Sequence, residues 1–176
     1  MGERMKWMLV SLSAVVLLLT TLAGHAGPPL TVSAEDQRQI LDLVSAYSYT
    51  YDGKDLDGYL ALHTKDCVWE AVPNGASKPA VRAANREELR ALAAQRLAML
   101  QQKGGQSRHY QTNTVLVARP DGQVEGTTML NLMRQEPGAK PYTAMTGIYR
   151  DLFVKEEGTW KIARRTLFMD QGEIGK

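Results

Sequence analysis

Arg108–Ala118, RHYQTNTVLVA, is the stretch on which the fold turns. It is rich in β-branched residues, it has no helical spacing, and Pro120-Asp121-Gly122 closes it as a turn. The same grammar repeats downstream. A second strand is expected over about Val124–Gln135, turning at Pro137-Gly138, and a third over about Tyr142–Lys155, turning at Glu157-Gly158. The fourth runs over about Thr159–Met169. Upstream the period changes from two to 3.6. Ile40, Val44, Tyr47 and Tyr51 fall on one narrow stripe, so residues 34–52 read as an amphipathic helix, capped by Ser33 and stopped by Gly53. A short helix over Leu56–His63 follows, with Asp55 and Asp57 at its start, then a strand around Cys67–Val72 and a loop over Pro73–Ala84. Asn85 caps a third helix, residues 86–102, whose apolar face is Leu89, Leu92, Ala93, Leu97 and Leu100. Helices first and strands after make an α+β domain. Three helices cover one face of a mainly antiparallel sheet, and a second copy of the chain is expected on the other, giving a homodimer.

Ahead of this domain lies a segment of a different kind. Met1–Lys6 carries Arg4 and Lys6, an uncharged run extends from Trp7 to Gly24, and Gly24 and Ala26 are small residues before a cut at Gly27. That order is a secretory signal peptide over residues 1–26, its alternative being an uncleaved N-terminal anchor. Residues 27–32 then form an extended leader, 33–170 the domain and 171–176 a tail. The mature protein is expected outside the cytoplasm, periplasmic or secreted.

Composition narrows the chemistry. With 21 Lys and Arg against 19 Asp and Glu, the chain has no nucleic-acid footprint. One cysteine, Cys67, excludes an intramolecular disulfide and any multi-cysteine metal site, and it reads as a core residue. There is no glycine-rich phosphate loop and no Gly-x-Ser-x-Gly elbow. No cofactor and no metal are expected. Of three histidines, His25 belongs to the leading segment and His63 reads as a surface residue at a helix end. His109 shares a strand face with Gln111, Asn113, Val115 and Val117, polar at one end and apolar at the other, like the wall of an open cavity. Asp52 closes the first helix, where the dipole disfavours a carboxylate, so either another partner holds it or Asp52-Gly53 is a plain turn. One of Arg164 and Arg165 faces inward, and alternation does not say which.

These residues together resemble the SnoaL-like branch of the nuclear-transport-factor-2-like superfamily. The resemblance covers about residues 33–170. It rests on the opening helix from Asp36, on Tyr51-Asp-Gly-Lys-Asp-Leu-Asp, on Lys65-Asp-Cys-Val-Trp and on Arg108-His-Tyr-Gln-Thr-Asn. It ends with Gly147-Ile-Tyr-Arg-Asp and Gly158-Thr-Trp-Lys-Ile-Ala-Arg-Arg. It implies a cone-shaped cystatin-like fold, with three N-terminal helices packed on a curved sheet. Members of the scytalone dehydratase and hexachlorocyclohexane dehydrochlorinase type are cofactor-independent lyases with a histidine base oriented by an aspartate. In this chain those positions match His109 and Asp52, and Asn113 matches the family's His-x-x-x-Asn spacing. Tyr47, Tyr51 and Asn113 are the residues expected to contact a small cyclic or aromatic substrate. On the following strand, where scytalone dehydratase has a second pocket histidine, this chain carries Thr127, Thr128 and Asn131. The fold also hosts non-catalytic dimeric modules that bind a small apolar ligand, and that is the alternative reading.

Overall fold

The computed structural model describes residues 30–171, so the expected signal peptide lies outside the described residues, as does most of the tail. The order is α1 (Ala34–Asp52), α2 (Leu56–Ala61), β1 (His63–Val72), β2 (Val81–Ala83) and α3 (Arg86–Gln102). Then come β3 (Gln106–Ala118), β4 (Val124–Gln135), β5 (Tyr142–Glu156) and β6 (Thr159–Met169). The caps fall where the side chains called for them. Ser33 Oγ accepts from the Asp36 amide, Asp55 from Gly58 and Asn85 from Glu88. Asp57 does not cap; it pairs with Arg90 of α3 at 2.8 Å. Gly53 ends α1 for reasons of space, since a Cβ there would lie 2.7 Å from the Tyr49 carbonyl. The left-handed residue is the next one, Lys54, with φ 62°.

Six strands form one sheet in the order β2-β1-β6-β5-β4-β3. All neighbours are antiparallel except β1 and β6, which pair in parallel. The pairings of β1 explain two departures from the expected layout. β1 starts four residues early, because His63 registers with Ile162 and the Ile162 amide donates to Leu62 O. β2 is a three-residue edge inside the expected loop, held against Trp69–Ala71. The helices close over the concave face. Ile40, Val44 and Tyr47 from α1, Leu89 and Ala93 from α3, and Trp69, Tyr149, Phe153 and Ile162 from the sheet form one buried core. Cys67 is fully buried in it, and burial pushes its thiol up to about 11, the inert state expected of a core cysteine.

β3 does not alternate along its whole length. Thr112 registers with Met129 and Val115 with Thr127, so three steps on β3 match two on β4. The extra residue is a β-bulge, and Asn113 within it has φ 55°. Ser107, His109 and Gln111 face the helices before the bulge; Thr114, Leu116 and Ala118 do so after it. Val115 and Val117, expected on the His109 face, are therefore turned outward and are 60% and 56% exposed. On that outer face Met129, Ile148 and Phe168 form an exposed apolar row across three strands.

Candidate functional site

The carboxylate of Asp52 is the anchor of the site. It ends α1 beside the free edge of β3, and β3 supplies what the helix terminus denies it. The backbone N–H of His109 donates to Oδ2 at 2.7 Å, while the Ser107 hydroxyl and His109 Nδ1 both donate to Oδ1 at 2.7 Å. Gln106 Nε2 donates to the Asp52 carbonyl at 2.9 Å, satisfying one of the open carbonyls of the helix end. Burial works against ionisation, but the donors from His109 and Ser107 prevail and hold the Asp52 carboxyl below its ordinary value. An ionised carboxylate only accepts, so the neutral imidazole of His109 carries its proton on Nδ1 and keeps a lone pair on Nε2. The sequence reading left Asp52 between a turn and a held carboxylate; the structure brings it to His109.

His109 lines a cavity of about 210 Å³ between the helices and the sheet. The walls are mostly apolar: Trp69, Leu89, Leu92, Leu130, Leu132 and Leu167. The polar interior is aromatic. The Tyr51 ring lies 5.3 Å from the His109 ring and the Tyr47 ring 6.1 Å, both edge-on. Burial first, then neighbouring Tyr47, raises the Tyr51 phenol to about 12, so it remains a hydrogen-bond donor across the working pH range. Tyr47 is buried, and its hydroxyl accepts from Trp69 Nε1 at 3.2 Å. Exposed Met99, Lys103 and Arg134 mark where the cavity meets solvent.

Of the five residues singled out in the sequence, Asp52, His109, Tyr47 and Tyr51 are brought together. Asn113 is not. It sits in the bulge, is exposed, does not line the cavity, and donates to Met129 Sδ at 3.4 Å. On β4, Thr127 and Asn131 are exposed and Thr128 is buried against Thr114, at 3.0 Å between hydroxyls. The β4 side chains that do enter the cavity are Leu130, Leu132 and Arg134.

His63 is a correction. Expected at the surface, it is fully buried, because β1 begins there and carries it under Tyr59 and Tyr47, with ring centroids at 4.9 and 6.1 Å. Its Nδ1 donates to Tyr59 O at 3.0 Å and Nε2 has no partner. Burial lowers its pKa to about 3. Arg165, not Arg164, is the inward arginine. It makes two 2.8 Å bonds to Asp151, directly across β5 and β6, and its guanidinium lies 4.0 and 4.2 Å from the Tyr47 and Tyr149 rings. Burial opposes its charge, and Asp151 more than offsets this. The pair stands behind two cavity-wall tyrosines and fixes their planes. Ser107 and the cations Arg96, Lys103 and Arg134 also went unread. Arg96 had a signal: it interrupts the apolar stripe of α3 between Ala93 and Leu97.

A family model for the SnoaL-like domain matches residues 32–166. The chain belongs to that family. Its fold is shared with solved structures of low identity. ActVI-ORFA from Streptomyces coelicolor is 22% identical, with 76% of this chain and 96% of that one covered and a TM-score of 0.66. A scytalone dehydratase candidate from Novosphingobium aromaticivorans is 18% identical, covering 81% and 90%, with a TM-score of 0.65. An NTF2-like protein with a cystatin-like fold from the same species is 19% identical, covering 79% and 84%, with a TM-score of 0.65. No curated protein matches the sequence. Among the described residues of this SnoaL-like protein, no helix is long and apolar enough to cross a membrane.

Proposed function

We propose that this SnoaL-like protein is an exported, cofactor-independent lyase or isomerase acting by elimination on a small cyclic or aromatic compound. One observation carries the reading: a carboxylate held by three donors orients an imidazole in the wall of a mostly apolar cavity. Asp52 fixes the tautomer and stabilises the imidazolium that forms when His109 acts. Nε2 takes a proton from a substrate carbon, the C–H electron pair becomes the new C=C bond, and the neighbouring C–O bond breaks. The imidazolium returns its proton to the departing oxygen, so the products are an alkene and water. Tyr51 is the donor suited to an adjacent carbonyl, whose oxygen gains charge as the proton leaves. A positioned base of this kind contributes roughly 10²–10⁴-fold.

The test is turnover of a panel of cyclic alcohols and hydroxyketones by the wild type, His109→Gln and Asp52→Asn. Loss of turnover in both variants, with folding intact, is expected. Full activity in His109→Gln overturns the reading. Nitrogen-15 NMR gives a second check, because Asp52→Asn should release the Nδ1–H tautomer.

A second reading is a non-catalytic dimeric binding module, and the exposed row Met129, Ile148 and Phe168 favours the dimer under either reading. Sedimentation of wild type against Ile148→Glu tests the homodimer: the variant should be monomeric. Export is tested by N-terminal sequencing of the protein from the extracytoplasmic fraction, where Gly27 is the expected first residue.

A further inference from the structure

The cavity's charges are one-sided. Its lining holds Arg96, Lys103 and Arg134 against a single carboxylate, Glu136. Over the whole chain basic residues exceed acidic ones by only two, so the excess at this opening is as large as that of the entire protein. Among the described residues, none of these three cations has an ion pair or a side-chain hydrogen bond. Arg38, Arg82, Arg90 and Arg119, on the outer surface, all pair with carboxylates. Cations left uncompensated beside apolar walls are placed for a ligand rather than for the fold.

Arg96 is the best positioned of the three. It is half-buried, and its guanidinium lies 4.9 Å over the Trp69 ring, which orients the planar fork while its N–H edges stay available. Arg96 and Arg134 both act on the Tyr51 hydroxyl, partly opposing the burial that raises its pKa. Both line the same cavity as Tyr51, whose ring lies 5.3 Å from that of His109.

We infer that the ligand of this cavity is an anion: a carboxylate on a one- or two-ring aromatic or cyclic skeleton, anchored by Arg96 and Arg134. The skeleton then lies between the leucine walls, with its reacting carbon toward His109. The inference rests on the elimination reading only for the identity of the ligand as substrate; the anchor itself needs no chemistry.

The experiment is calorimetric titration of the full chain with 2-naphthoate and with uncharged 2-naphthamide, in the wild type, Arg96→Gln, Arg96→Lys and Arg134→Gln. Naphthoate is expected to bind the wild type at least about tenfold more tightly than the amide, the scale of one charge-assisted hydrogen bond. Added salt should erode only the naphthoate affinity. Both Gln variants should narrow the preference while leaving the amide unchanged, and Arg96→Lys should restore part of it. Arg134 is exposed, so its variant separates a lost anchor from a lost fold. Equal affinities, binding of neither compound, or a preference that survives in the Arg96→Gln/Arg134→Gln double variant each overturns the inference. The elimination reading fails separately: a preserved preference with no turnover of any carboxylate removes the chemistry and leaves the anion site.

Discussion

His63 makes the stability of this protein dependent on pH in a calculable way. Its pKa falls from 6.5 to about 3 on folding, because its ring is buried under Tyr59 and Tyr47 and the Tyr59 carbonyl offsets only part of the cost of charging it there, with Arg165, Arg86 and Lys161 adding repulsion. Between those two values the unfolded chain binds a proton that the folded chain refuses. Stability is therefore complete above about pH 6.5, and it drains away as pH falls through the window toward 3. At about pH 4 the drop spans some 2.5 pH units, which amounts to about 3 kcal/mol. Against the ~5–15 kcal/mol of a typical domain, that is a large share. His63→Asn retains an N–H donor for the Tyr59 carbonyl and removes the titration. It should be less stable than the wild type near pH 8, by ~1–2 kcal/mol for the lost ring. Toward pH 4 it should draw level or move ahead. Urea unfolding of both proteins at the two pH values reads the difference directly, since the carboxylates titrate alike in each. Equal losses in the two proteins would refute the assignment of the window to His63.

Other perturbations follow from the same geometry. Asp52→Asn sets an amide N–H₂ against donors from His109 and Ser107, so it should cost ~2 kcal/mol in chemical denaturation. Because the Asp52 carboxyl lies below its ordinary value, its contribution is present above that value and disappears as pH falls. Asp151→Asn strands the buried charge of Arg165 and should cost ~3–5 kcal/mol, whereas Asp151→Leu combined with Arg165→Met should regain much of the loss in thermal melting. Gly147→Ala would put a Cβ 2.4 Å from the Phe168 carbonyl, a backbone atom that cannot swing away, and should lower the melting temperature by several degrees.

What could be read from the sequence was what depends on neighbours along the chain. Caps at Ser33, Asp55 and Asn85, the α1 stripe and the turns that divide β3 to β6 are local, and the structure carries them within a residue or two. The resemblance supplied Asp52 and His109 as partners across 57 positions, which no local pattern does. The misreadings are all long-range. His63 looked like a helix end because nothing near it signals a parallel strand from β6, 99 residues later. Arg165 could not be told from Arg164 without Asp151 opposite it. Asn113 shares the His109 face by alternation and matches the His-x-x-x-Asn spacing of the resemblance, but the bulge, set by pairing with β4, leaves it exposed and reverses every face beyond it.

That bulge works on β3 as a frameshift works on a message. Upstream of Asn113 the strand is read in one frame, which delivers Ser107, His109 and Gln111 to the helices; downstream it is read in the other, which delivers Thr114, Leu116 and Ala118. Were the same residues paired in regular register, His109 and Leu116 would fall on opposite faces, and with the downstream half still packed the imidazole would rotate out of the cavity. His109 and Leu116 thus share a face only because the bulge sits between them, and the imidazole owes its place to a backbone irregularity as much as to its own identity.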